Sequence, residues 1–265
     1  MSQPIIELRH VRKVFGGKVA LDDVSFSVER GTNFVILGAS GGGKSTLLKI
    51  MISALKADAG EVLLDGVDLS TAPEKDLEAA RRKFGVLFQD GALLNSLSVA
   101  ENVALPIRYH TKLPPETTDI LVKMKLELVG LREADQKLPS QISGGMRKRA
   151  SLARAIALDP MIVFYDEPSS GLDPVATGVI SQLILDLKNS MGLTNVVITH
   201  DINSAFEIAD RVVLLHRGKI AAAGTVQEIL KNDDPLVRQF ITGSVQGPLE
   251  VRSDELEYYN DLLNL

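Results

Sequence analysis

Apolar and polar positions divide the chain into short strands and longer helices. Ile5 to Arg9 reads as a strand, Phe15-Gly16-Gly17-Lys18 as a turn, and Val24 to Val28 alternates as a half-buried strand does. Asn33-Phe34-Val35-Ile36-Leu37 is a continuous apolar run, the mark of a strand buried on both faces, and Leu47 to Met51 follows as a helix-like segment. Glu61 to Gly66 predicts a further strand and turn, and Phe84 to Phe88 a short apolar strand ending at Gln89. The texture then becomes helical up to about Pro160. Ser98 caps one helix there, with Glu101 at capping-box spacing, and Pro114-Pro115-Glu116 opens another containing Leu121, Met124, Leu128 and Val129. Strand and helix alternate again beyond it: Met161 to Tyr165, a helix from Ala176 to Lys188, Asn195 to Thr199, then a hairpin of Arg211 to Leu215 and Lys219 to Ala222 around Arg217-Gly218. This order predicts an α/β fold, a mainly parallel sheet flanked by helices with a helical insertion between Gln89 and Pro160.

Composition narrows the class. The chain has 265 residues, 45% of them hydrophobic, enough for a large core with an insertion. Its net charge of −5 disfavours a nucleic-acid surface, and the lack of cysteine excludes disulfides and thiolate metal sites. No secretory signal is visible at the start, and no apolar run reaches the roughly 18 residues that read as a membrane span. A membrane role is therefore expected to come through partners.

The candidate chemistry begins at Gly38-Ala39-Ser40-Gly41-Gly42-Gly43-Lys44-Ser45-Thr46, between the buried strand and its helix. This matches G-x-x-x-x-G-K-[ST] in the context that motif requires. Glycines let backbone N–H groups approach phosphate oxygens, the helix start directs its positive end at them, Lys44 adds a charge, and Ser45 offers a hydroxyl to Mg²⁺. Ile162 to Tyr165 is an apolar strand running into Asp166 and Glu167. Asp166 can hold the hydration shell of Mg²⁺, and Glu167 can polarise an attacking water; a buried strand with an acidic end is the plain alternative. Ser143-Gly144-Gly145 at the start of a helix is a second possible anion cradle, or simply a helix cap.

Taken in order, Gly38 to Thr46, Gln89, Ser143-Gly144-Gly145, Asp166-Glu167, Gly171-Leu172-Asp173 and His200 resemble the motifs of the ATP-binding cassette (ABC) transporter ATPases, and the resemblance covers about Ile5 to Gly224. It implies a P-loop NTPase (RecA-like) cassette with an antiparallel β edge, an ATPase using ATP and Mg²⁺. It implies a core of residues 1–89 and 160–242, a helical signature subdomain of 90–159 and a C-terminal extension of 243–265. By the same resemblance Phe15 stacks on adenine (a core aromatic is the alternative), Gln89 contacts Mg²⁺ and the water, and His200 bonds the γ-phosphate. Ser143 and Gly145 then reach the γ-phosphate of a second copy, and Asp173 lies at the dimer seam. The signature departs from the commonest pattern in Ile142 and Met146.

Gly85 to Leu93, Asn102 to Pro106, His110 to Pro114, Met146 and Asp234 to Phe240 resemble the Mla/Mce-associated subgroup of cassettes. That implies phospholipid transport between inner and outer membranes, with the cassette peripheral on the cytoplasmic face of the inner membrane. The partners implied are a second copy, transmembrane permease subunits, a small cytoplasmic regulatory subunit and a substrate-binding Mce-type protein. A cassette for another solute, a soluble ABC ATPase and a P-loop kinase are the competing readings; the last leaves Ser143-Gly144-Gly145 unexplained. Gly91 to Leu97 is expected either to dock the permease or to belong to the insertion's core. Gly243 to Leu249 reads as an extended linker, and Ser253 to Leu265 as an amphipathic helix that binds the second copy, its own subunit or a regulator.

Overall fold

Two sheets meet around the strand that precedes the glycine-rich loop. The computed structural model describes residues 3–249. Strands β1 (Ile6–Phe15) and β2 (Lys18–Val28) form a long hairpin that pairs onward with β4 (Ala59–Leu64) and β5 (Val67–Asp68), an antiparallel sheet in the order β2-β1-β4-β5. The sequence suggests a much shorter hairpin. Bulges at Leu8 to Lys13, with His10 in the left-handed region, interrupt the alternation that would have revealed its length.

The second sheet has the order β10-β9-β3-β8-β7-β6. It contains β3 (Asn33–Leu37), β6 (Phe84–Leu87), β7 (Ile162–Asp166), β8 (Thr194–Thr199), β9 (Arg211–His216) and β10 (Lys219–Gly224). All neighbours pair in parallel except β9 and β10. Every residue of β3 and β8 is buried, as strands covered on both faces must be. The register sets Leu37 beside Thr199, Asp166 beside Ile198 and Leu87 beside Tyr165. Gly38, Glu167, His200 and Phe88-Gln89 therefore leave the sheet along one edge, where open parallel sheets place their ligands.

Around the sheets lie α1 (Lys44–Met51), α2 (Glu74–Arg81), α3 (Val99–His110), α4 (Pro115–Leu128), α5 (Gly144–Ala155), α6 (Pro174–Met191), α7 (Ile202–Ile208), α8 (Val226–Leu230) and α9 (Pro235–Thr242). The Ser98–Glu101 capping box forms as its spacing predicts. Helices α3, α4 and α5 pack on one another. On α4 the buried residues are Thr118, Val122, Lys125 and Leu126, while Ile120, Met124 and Leu128 are exposed. The contact between α5 and β6 is so close that a Cβ on Gly85 would collide with the carbonyl of Ala155.

The segment after α9 is not the extended linker its breakers suggest. It bends back onto the helix because one buried side-chain amide binds it at both ends. Gln239 Nε2 donates to the carbonyls of Ser244 (3.1 Å) and Leu249 (3.2 Å), and the Leu249 N–H donates to Gln239 Oε1 (2.6 Å). The helix expected over Ser253 to Leu265 lies outside the described residues.

Candidate active site

The glycine-rich loop leaves β3 at Gly38 and enters α1 through Gly43, whose φ of 104° belongs to glycine. A Cβ on Gly38 would strike the Leu215 carbonyl, so glycine lets the loop lie against β9. No side chain caps α1, and its first turn has no acidic residue, which leaves its N–H groups available to an anion. Lys44 is buried, its ammonium donating to the carbonyls of Gly38 (2.7 Å) and Ala39 (3.1 Å). Burial pushes its pKa down, opposed by the charges of Glu167 and Asp166. Nζ lies 4.0 Å from Glu167 Oε1. A positive charge and a set of uncapped amides, built into one loop, suit a phosphate chain.

Asp166 ends β7 with its carboxyl pKa raised by burial and by its neighbour Glu167, against the pull of Lys44, Lys148 and Lys49. Glu167 adopts φ 48°, unfavourable for a residue with a side chain, and is held from several sides. Its N–H donates to Ile198 O (2.8 Å), and its carbonyl accepts from Lys148 Nζ (3.1 Å). Its carboxylate accepts from Thr199 Oγ1 (3.2 Å) and the His200 N–H (3.4 Å), with His200 Nδ1 at 2.9 Å. Gln89 is exposed at the end of β6, its amide 3.4 Å from Ser170 Oγ. The exposed Ser45 hydroxyl, the Gln89 side-chain oxygen and the Asp166 carboxylate are hard oxygen donors of the kind Mg²⁺ takes. Among the described residues there is no cluster of three or more His, Cys, Asp or Glu side chains that could hold a metal ion.

Phe15, at the tip of the first hairpin, is 48% exposed, with Lys13 Nζ 5.4 Å from its ring centre; the core-aromatic alternative does not hold. Strand β2 packs against the glycine-rich loop, since a Cβ on Gly43 would lie 2.7 Å from Ala20 O.

Ser143, Gly144 and Gly145 stand apart from this group, in the first turn of α5. Ser143 is exposed and accepts from the Met146 N–H (3.3 Å). Asp173 caps α6 by accepting from the N–H groups of Val175 and Ala176. The two features adjoin: a Cβ on Gly144 would meet Leu172 and one on Gly145 would meet Ala176, both at ordinary contact distance. Neither glycine has a positive φ, so nothing among the described residues requires glycine there.

Sequence reasoning passes over Lys148, Thr199, Ser170 and Lys13. For Lys148 the sequence carries no signal: it stands in the run Arg147-Lys148-Arg149, and its burial beside Ala150, Ser151 and Leu152 emerges only in the fold.

Comparison with known proteins identifies the family. Residues 21–170 match the ABC transporter family. The intermembrane phospholipid transport system ATP-binding protein MlaF of Haemophilus influenzae is 41% identical over 99% of this chain and 99% of its own length. MlaF of Escherichia coli K12 is 42% identical over 98% of this chain and 96% of its own length. The probable ribonucleotide transport ATP-binding protein mkl of Mycobacterium leprae is 42% identical over 95% of this chain and 73% of its own length. The dimeric, post-hydrolysis structure of the ATP-binding cassette MJ0796 bound to ADP and Pi superposes with a TM-score of 0.77 at 32% identity, covering 83% of this chain and 98% of that one.

Proposed function

Since the chain belongs to the ABC transporter family as an ATP-binding cassette, and is thus the ATPase of a transporter, we propose that it hydrolyses ATP in a head-to-tail pair of copies and thereby drives phospholipid transport between the inner and outer membranes. The observation that carries the hydrolytic part is Glu167, a carboxylate fixed 4.0 Å from the Lys44 ammonium at the edge where the glycine-rich loop ends.

The glycine-rich loop, the first turn of α1 and Lys44 bind the phosphates, and Phe15 stacks on the base. Ser45, Gln89 and Asp166 would hold Mg²⁺, which when bound neutralises charge developing between the β- and γ-phosphates. Glu167 takes a proton from water as the water oxygen bonds to the γ-phosphorus and the bond to the bridging oxygen breaks, leaving ADP with that electron pair. His200 orients the carboxylate through Nδ1 and, with a proton on each ring nitrogen, donates from Nε2 to the γ-phosphate. Ser143, Gly144 and Gly145 complete the site of the second copy, with Asp173 beside them at the seam; packing among the described residues gives no other reason for the two glycines.

Residues 1–89 and 160–242 then act as the catalytic core, residues 90–159 as the helical subdomain and residues 243–265 as an extension that strengthens the dimer. Among the described residues no helix is long and apolar enough to cross a membrane. In this reading permease subunits carry the cargo and the cassette sits peripherally on the cytoplasmic face. A small regulatory subunit and an Mce-type substrate-binding protein complete the proposed assembly. The phospholipid reading draws on the MlaF relatives, which match this chain end to end; the mkl relatives are equally identical and named for ribonucleotides.

Glu167→Gln tests the hydrolytic assignment: ATP binding is expected to survive while turnover falls about 10²–10⁴-fold. Near-normal turnover would remove Glu167 from the mechanism. Identifying the lipids that co-purify with the assembled transporter tests the cargo, and an assembly free of phospholipid that takes up ribonucleotides would favour the second reading.

A further inference from the structure

Helix α5 carries a polar row, Lys148, Ser151 and Arg154, three residues apart along one face. All three donate to backbone carbonyls of the loop after β6. Lys148 Nζ bonds the Gln89 carbonyl, Ser151 Oγ bonds Gly91 O (2.7 Å), and Arg154 bonds Ala92 O (2.7 Å) and Gly91 O (2.9 Å). The Gln89 loop is thereby fastened to the helix that begins at Ser143. Of the three, Lys148 also reaches the catalytic strand, through the Glu167 carbonyl at 3.1 Å.

Packing alone does not account for a lysine here. Lys148 is 6% exposed, and burying an ammonium costs free energy that an apolar residue of similar length would avoid. Burial accordingly pushes its pKa down, while Asp90, Asp166 and Glu167 favour its charge. What the charge supplies is two strong bonds to carbonyls on separate elements. One of them belongs to a residue in a strained conformation, which persists only where its surroundings hold it. The carboxylate of Glu167 is held by Thr199 and His200, its N–H by Ile198, and its carbonyl by Lys148.

We propose that Lys148 is a positioning residue for ATP hydrolysis, tying the Glu167 backbone to the helix that bears the signature and to the Gln89 loop, so that the carboxylate is correctly placed only when that helix is. This rests on Glu167 as the general base. Lys148 lies about one and a half turns beyond Ser143, so a rotation of α5 that seats Ser143 on a partner's nucleotide moves the Lys148 ammonium with it.

The test uses the full chain assembled with its membrane subunits. Lys148→Met removes the donor and keeps the length of the side chain. Its kcat is expected to fall about tenfold to a hundredfold, with KM for ATP and nucleotide affinity within about twofold of the unaltered protein and a thermal midpoint within a few degrees. Lys148→Gln, which restores a donor, recovers part of that kcat. The proposal is overturned if Lys148→Met keeps kcat within about twofold, if kcat falls only in proportion to ATP affinity or folded fraction, or if Lys148→Gln is no better than Lys148→Met. Should Lys148→Met not fold, a drop in kcat at constant KM in Lys148→Gln decides in its favour, and failure of both variants to fold marks Lys148 as structural and overturns it. Glu167→Gln run in parallel keeps the two assignments distinct. Full turnover there removes the base itself, whereas loss there with full turnover in Lys148→Met removes only the positioning role.

Discussion

His200 Nδ1 lies 2.9 Å from Glu167 Oε2, and the His200 backbone N–H points at the same oxygen from 3.4 Å. These two residues end neighbouring parallel strands, so the contact is a product of register: Asp166 pairs with Ile198, and each chain then turns out of the sheet beside the other. Carboxylate and phosphate oxygens both accept, so a ring that bonds the two at once needs a proton on each nitrogen. In the proposed mechanism the imidazole joins the residue that activates water to the group that water attacks.

His200→Ala is expected to lower kcat about tenfold or more, because the carboxylate loses its orienting partner. The side chain is 59% exposed, so stability should change little. Steady-state kinetics beside a thermal melt check this, and an unchanged kcat would show that Thr199 and the backbone suffice to orient Glu167.

Asp166 makes a pH-dependent prediction. Its pKa is raised in the folded protein above 3.8, chiefly by burial, so ionising it opposes folding. Stability associated with this group is fully present below 3.8 and is lost as pH rises through the raised value. Without nucleotide, Asp166→Asn should therefore melt a few degrees higher than the unaltered protein at neutral pH, and the difference should vanish on acidification. The variant should also lose most of the stabilisation that Mg-ATP confers. Equal melting at neutral pH would contradict the sign of the shift.

Two glycines separate packing from chemistry. Gly85→Ala forces a Cβ into the Ala155 carbonyl and should destabilise by about 1–3 kcal/mol or more. Gly145→Ala meets only ordinary contact with Ala176, so stability should stay within about 0.5 kcal/mol. Its ATPase activity should nonetheless fall about tenfold or more, because in the proposed pair the methyl group would face the partner's nucleotide. Full activity in Gly145→Ala would argue against a site completed by a second copy.

Leu94 is 46% exposed beside the Gln89 loop, whereas Leu93 packs on the core. This settles the alternative for Leu94: it is not part of the insertion's core. Leu94→Glu should leave the melt and the ATPase of the isolated protein unchanged while transport by the assembled complex drops. Transport at the unaltered rate would place permease docking elsewhere.

Removing residues 250–265 preserves all three hydrogen bonds of Gln239, whereas cutting after Gly243 strips them from a buried amide. The shorter deletion should therefore weaken assembly of the pair, seen by sedimentation, without lowering the melting midpoint of the single chain. Assembly at unchanged affinity would assign these residues no part in the dimer.

Local signals in the chain determined a great deal. The run Asn33 to Leu37 followed by glycines, Lys44 and Ser45 specifies a strand, a turn and a helix start, because each step depends on neighbours only a few residues away. The same holds for Asp166-Glu167 at the end of an apolar strand, for the Ser98–Glu101 cap and for the β9–β10 hairpin. Contacts between distant segments carry no such local mark. That Lys148 bonds Gln89 and Glu167, 59 and 19 residues away, follows from how α5 lies across the ends of β6 and β7. The fold-back of residues 244–249 likewise needs Gln239 as a partner, and breakers such as Gly247 and Pro248 show only that a helix stops. The sequence determined which chemical groups exist and in what local geometry. The tertiary structure decided which of them share an edge, because strand order and register, stabilised by burial of the whole sheet, bring together residues that no spacing rule relates.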